Sequence, residues 1–334
     1  MKAGVVGDGK KRRAVDRALS VSVQQERTGG ALRFLTLAAV LGLFVLIILG
    51  GVVRVTESGL GCPDWPFCHG RIIPPADSAT LIEYSHRLLA TVTGLMVLAV
   101  GAVVWKAYRW DRRLVGIVSL AVVLLLGQVV LGGATVRTEL EPGLVMAHLA
   151  VAEALLACMI AAFVIAWRMA GPNSRLNRIT GVRARRPVLI PIAVAGLYVL
   201  LLTGSYVQAS GATVACGDTW PLCQGELFRG GELAIVHMLH RILSIPVGGV
   251  ILASLVEAWR LSREQPSLRV AALVVGGLFV AQVLVGGVNV WLAFPETTNV
   301  LHLAIATAVW ASLVMLAVLA YPFLNGVTER SDAA

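Results

Sequence analysis

The sequence predicts an all-α integral membrane protein, with eight transmembrane helices arranged as two homologous four-helix bundles related by a pseudo-two-fold axis along the membrane normal. Three observations carry this. Of 334 residues, 57% are hydrophobic and only 14% charged, too little polar surface to cover the apolar remainder of a water-soluble globule. Apolar runs near residues 34–53, 84–104, 114–136, 145–167, 188–209, 236–257, 270–290 and 299–320 are each long enough to cross ~30 Å of hydrocarbon as a helix. The second half of the chain also repeats the first at a constant offset of 154 residues.

Taken in order, residues 1–33 are a basic tail rich in Lys, Arg, Gln and Gly, with the composition of a disordered segment. The full-length apolar run behind it excludes a cleaved signal peptide. Residues 34–167 form the first four-helix half, 168–187 an Arg-rich linker, 188–320 the second half and 321–334 a short tail. Most of the 28 lysines and arginines fall in the N-terminal tail and in the loops after spans two, four and six. Short basic loops stay in the cytoplasm, so both termini are expected there and the odd-to-even loops outside a bacterial cell membrane. This basic collar facing anionic lipid accounts for the net charge of +9 without any nucleic acid.

The repeat holds through uncommon residues. Glu83 maps to His237, His86 to His240, Arg87 to Arg241, Gln128 to Gln282, Gly132-Gly133 to Gly286-Gly287, His148 to His302 and Cys62 to Cys216. An even number of spans per half makes the repeats parallel. Only one of these correspondences changes chemistry: Glu83 in Glu83-Tyr84-Ser85-His86-Arg87 becomes a histidine in His237-Met238-Leu239-His240-Arg241.

The outward loops carry Cys62 and Cys68 around Trp65-Pro66, and Cys216 and Cys223 around Trp220-Pro221. Outside the cytoplasm a disulfide within each loop is the expected state. A zinc site using His69 is the alternative, against which the cysteine spacings speak. Such a disulfide staples a lid or serves redox chemistry. The two tryptophans also suit interfacial anchoring, and mid-span Cys158 suits packing.

His86, His148, His240 and His302 lie near the start of even-numbered spans, two per half. A single intramembrane histidine is commonly a helix–helix hydrogen bond, but four in a duplicated pattern mark a functional site. Paired imidazoles from two helices can hold a haem iron from both sides. The glycine pairs leave room for a flat macrocycle, or for close helix packing. Arg87 and Arg241 can bind haem propionates through paired hydrogen bonds, or snorkel to the headgroups.

With these residues in place, the chain from span one to span eight resembles haem A synthase. The resemblance rests on the Glu-x-x-His-Arg motif, the paired-cysteine loops and the four histidines. It implies conversion of haem O to haem A for cytochrome oxidase, a methyl group becoming an alcohol and then an aldehyde. It also implies a division of labour: His240 and His302 hold a haem b cofactor, His86 and His148 address the haem O substrate, and Glu83 is catalytic. Haem O synthase and cytochrome oxidase assembly factors are the implied protein partners, with an electron donor and oligomeric state that the residues do not identify. The chemistry agrees, because a closed bis-histidine pair suits electron transfer while methyl oxidation needs a proton-transferring group. A first-turn glutamate favoured by the helix dipole is the other reading of Glu83. The rival functions are a bis-histidine diheme electron carrier of the quinone-linked cytochrome b kind, a non-haem metal enzyme and a transporter. The carrier would need no Glu83, and the metal enzyme would need carboxylates beyond Glu153.

Overall fold

The computed structural model describes residues 6–169, 187–227, 230–263 and 265–321, with the backbone alone for residues 6–28. Eight helices among the described residues are long and apolar enough to span a membrane. They are α1 (Val6–Val55), α2 (Ser78–Ala107), α3 (Arg112–Arg137), α4 (Pro142–Met169), α5 (Leu189–Ala209), α6 (Gly231–Leu261), α7 (Pro266–Trp291) and α8 (Glu296–Ala320). The membrane-length part of α1 is Gly29–Val55. Its helix continues back to Val6, through the segment whose composition suggested disorder. Most of the linker and of the C-terminal tail lie outside the described residues.

Helices α2, α3 and α4 begin at acidic side chains and not at the first apolar residue. Asp77 accepts the Thr80 amide at 3.0 Å and starts α2 six residues before its apolar run. Asp111 does the same for α3 through Arg113 and Leu114, and Glu141 for α4 through Gly143 and Leu144. The amides of Val188, Leu189 and Ile190 at the start of α5 are taken by Glu257, which reaches over from α6. These contacts satisfy amides that helix geometry leaves without intrahelical partners.

Within the first half, α1 packs on α2, α2 on α3, α3 on α4 and α4 back on α1, and α5 to α8 close the same ring. Between the halves, α4 lies against α8 and α5, and α1 against α8. The helices of this seam bury Leu155, Leu156 and Met159 of α4 and Leu313 and Leu316 of α8 in one hydrophobic core. One side of α3, with Leu120, Val123, Leu126 and Val130, is exposed and suits lipid.

Two polar contacts cross this seam between residues that are each other's repeat counterparts. Thr307 donates to Glu153 at 2.8 Å, and Arg54 donates to the Gln208 carbonyl at 3.2 Å, both at a separation of 154 residues. Trp310 and Tyr198 add bonds to the Glu153 and Ala150 carbonyls. Glu153 is therefore part of the contact between halves, where buried side-chain bonds can fix helix register.

Candidate functional site

Each bundle presents two histidines from diagonal helices of its ring, His86 (α2) with His148 (α4) and His240 (α6) with His302 (α8). All four stand within the first three turns of their helix and are half-buried. Each imidazole rests on a glycine of the preceding helix. A Cβ added to Gly50 would come within 3.2 Å of His86, to Gly132 within 3.5 Å of His148, to Gly204 within 3.0 Å of His240 and to Gly286 within 3.1 Å of His302. The four seats obey the same repeat as the histidines. Gly132 and Gly286 thus make room for an imidazole ring, and Gly133 makes room for the Trp65 indole, 3.2 Å from where its Cβ would stand. Sequence reasoning missed Gly50 and Gly204, although their own 154-residue spacing was a usable signal.

The outer nitrogens differ among the four. The Nδ1 atoms of His86, His148 and His302 are buried without a hydrogen-bond partner, whereas His240 Nδ1 lies 2.8 Å from Thr203 Oγ1. The Gln282 amide approaches His302 Nε2 at 3.2 Å. No protein group among the described residues bonds to Nε2 of His86, His148 or His240, so these atoms remain available as metal donors. Two imidazoles on diagonal helices, each seated on glycine, fit a haem iron in each bundle; the donor nitrogens are free at His86, His148 and His240, while that of His302 faces the Gln282 amide. Among the described residues no group of three or more His, Cys, Asp or Glu is placed to hold a bare metal ion.

Next to His86 sits the loop that carries Cys62 and Cys68. Early initiation of α2 puts Glu83 in the second helical turn, on one face with His86 and Arg87. Its placement beyond the first turn removes the dipole as the reason for a carboxylate there. Glu83 is buried, 4% exposed. One carboxylate oxygen accepts the Cys62 amide at 2.8 Å and the other pairs with Arg87. Arg87 also donates to the carbonyls of Cys62, Asp64 and Phe67, each at 2.8 Å. Its terminal nitrogens are therefore directed at the loop and at Glu83. Gly61 permits the close approach: a Cβ there would come within 2.6 Å of the Ala79 backbone.

The sulfurs of Cys62 and Cys68 are joined, as are those of Cys216 and Cys223, and all four cysteines are buried. Asp64 ties the first loop by accepting the amides of Gly70 at 2.7 Å and His69 at 2.5 Å. The Gly70 amide, with that of His69, holds the Asp64 carboxyl below its usual value. His69 Nε2 faces the Gly61 carbonyl at 2.9 Å. Cys158 of α4 is the free cysteine of the described residues and packs against the hydrophobic core.

The second half keeps the frame and changes the contacts. His237 Nδ1 donates to the Ala212 carbonyl at 3.0 Å and the ring meets Phe294. Arg241 donates through Nη1 to the carbonyls of Thr219, Pro221 and Leu222, while its Nε and Nη2 are buried without partners. Trp220 meets Trp291 edge-on at 6.0 Å, where Trp65 instead lies on Gly133.

Comparison with known proteins gives this geometry a context. Residues 33–314 match a family model, COX15-CtaA, described as cytochrome oxidase assembly protein. Among similar curated proteins is a heme A synthase of an Exiguobacterium species, 26% identical over 88% of this chain and 93% of its own length. A heme A synthase of Bacillus cereus is 26% identical over 90% of this chain and 95% of its own. That of Halalkalibacterium halodurans is 30% identical over 67% of this chain and 74% of its own.

Proposed function

The chain belongs to the cytochrome oxidase assembly family, and from that membership we infer that it is an oxidoreductase converting haem O to haem A for cytochrome oxidase. It is a multi-pass membrane protein associated with haem. The observation that carries the finer reading is the single chemical break in an otherwise repeated site: Glu83 against Arg87 and the Cys62 amide in one half, His237 against Ala212 in the other.

In this reading haem b belongs to the second half and haem O to the first. His240 and His302 are the ligands of haem b, which supplies one-electron transfer when bound. The two partnerless nitrogens of Arg241 are the donors we assign to its propionates, since a buried guanidinium N–H without an acceptor is costly. Arg87 has its Nη atoms on the loop and on Glu83, so its contribution is to position the carboxylate. His86 and His148 orient the substrate haem. Glu83, one turn from His86, is the group that accepts or stabilises positive charge as the substrate methyl group is oxidised to the alcohol and then the aldehyde. The disulfide loop, anchored on Glu83 through the Cys62 amide, covers that site and limits water. The basic collar supports a reading with the cysteine loops and both bundle mouths outside the cytoplasm and the termini inside.

A diheme carrier would treat the halves alike and gives Glu83 no task. The reading is tested by coexpressing the chain with a haem O source in a host lacking haem A and extracting the pigments. Haem A in the extract is the expected result, and haem O without haem A sinks the assignment.

A further inference from the structure

We propose that Thr203 is a positioning residue that fixes His240 as a permanent iron ligand, and that Leu49, its counterpart in the first half, leaves His86 able to release its haem. The proposal rests on the reading of His240 and His302 as the haem b ligands. It starts from proton counting. A threonine hydroxyl has one proton, and that of Thr203 is donated to the Leu200 carbonyl at 2.8 Å. Its contact with His240 Nδ1, also 2.8 Å, is a hydrogen bond together with that one only when the imidazole is the donor. The chain Nδ1–H to Oγ1–H to O=C assigns one tautomer to His240, with the lone pair on Nε2, the atom a metal needs. An acceptor on the outer N–H also raises the basicity of Nε2 and holds the ring plane, as outer partners of metal-bound histidines do.

None of the other three histidines has this support. The Nδ1 atoms of His86, His148 and His302 are buried without partners. His86 makes the sharpest contrast, because its seat is the same. Gly50 lies under its ring as Gly204 lies under that of His240, one residue after Leu49 and Thr203 respectively. Backbone approach and ring contact are repeated, and only the hydroxyl is missing. A leucine can neither accept the Nδ1 proton nor fix the tautomer. The difference matches the two tasks: a cofactor must stay through many turnovers, and a product must leave after each one.

The test uses the full-length purified protein carrying its haem, with Thr203→Val, Thr203→Ser, Leu49→Thr and His240→Ala variants. Haem loss is followed by transfer to apomyoglobin, and the low-spin haem by potentiometric titration. Thr203→Val is expected to speed loss of the second-half haem by roughly 10-fold or more. It is also expected to raise the midpoint potential, because a less basic imidazole favours the ferric state less. A tenfold change in that preference corresponds to about 59 mV for one electron. Thr203→Ser, which keeps the hydroxyl, is expected to behave as wild type, and Leu49→Thr to slow release from the first half. Wild-type potential and transfer rate in Thr203→Val would overturn the role of Thr203. Equal changes in the Val and Ser variants would also overturn it, by tracing the effect to side-chain packing. Unchanged release in Leu49→Thr would overturn the contrast between the halves. His240→Ala separates this proposal from the reading beneath it: retention of the low-spin haem in that variant refutes the ligand assignment itself.

Discussion

The two halves share a frame and differ in what is wired to it. In both, a cysteine loop sits on the second helix of the bundle, an arginine following the histidine holds loop carbonyls, and each imidazole rests on a glycine. In the first half the arginine also holds a carboxylate and the histidine lacks an outer partner. In the second half the arginine keeps two donors free and His240 is clamped by Thr203. In the proposed reading, one half is thereby built around a reactive carboxylate and the other around a stable pair of ligands. Duplication supplied the scaffold, and a few side chains such as Glu83, His237, Leu49 and Thr203 separate its uses.

The largest break in the comparison comes from the ligands. His240→Ala or His302→Ala is expected to abolish the tightly bound low-spin haem spectrum, while His86→Ala or His148→Ala leaves it in place and stops product formation. An unchanged spectrum in the first pair would reject the assignment. The disulfides come next. Opening a loop of this length costs about 2 kcal/mol in the chain-entropy account, and the Cys62 amide is one of the two anchors of Glu83. Replacing Cys62 and Cys68 together by serine should therefore reduce haem A formation with haem b retained, measured on extracted pigments. The same change at Cys216 and Cys223 should weaken retention of haem b instead. Equal effects of both pairs on both readouts would dissolve the distinction.

A smaller effect is expected at His237. Glutamate there would give the free donors of Arg241 a carboxylate partner and draw them away from a propionate, so His237→Glu should lose haem b to apomyoglobin a few-fold faster, a loss of about 1 kcal/mol. A wild-type rate would remove Arg241 from the site. The smallest effect concerns pH. Asp64 has its carboxyl lowered from 3.8 by the Gly70 and His69 amides. A depressed carboxylate stabilises the folded loop fully above its unfolded value, and that contribution is lost as pH falls through the lower folded value. Hydrogen exchange at His69 and Gly70 should lose protection, relative to the intrinsic rate, below about pH 3.8. Gln224 in the other loop, bonded to the hydroxyl of Thr219, should show no such step.

Much of this was legible in the residues. Long apolar runs gave the eight spans, and the 154-residue register gave the four histidines and the odd position of Glu83. What escaped depended on three-dimensional neighbours. The start of α2, six residues before its apolar run, was not legible because hydropathy marks the bilayer, whereas Asp77 marks the helix. Arg87 was legible as a boundary arginine, but its loop carbonyl partners are set by the turn around Trp65-Pro66. Gly50 and Gly204 read as ordinary glycines in apolar runs, since the ring each one admits belongs to another helix. Thr203 could not be recognised for the same reason: its acceptor and its donor lie on different helices, and only the packing of α5 on α6 brings them together.

The central claim is that Glu83 is catalytic and specific to the first half. It is tested most directly by extracting pigments from purified Glu83→Gln protein coexpressed with a haem O source, beside wild type. Loss of a positioned proton-transferring group typically costs on the order of 10²–10⁴ in rate. The predicted result is retained haem b, accumulated haem O and essentially no haem A. Wild-type haem A, or loss of haem b together with haem A, would contradict it.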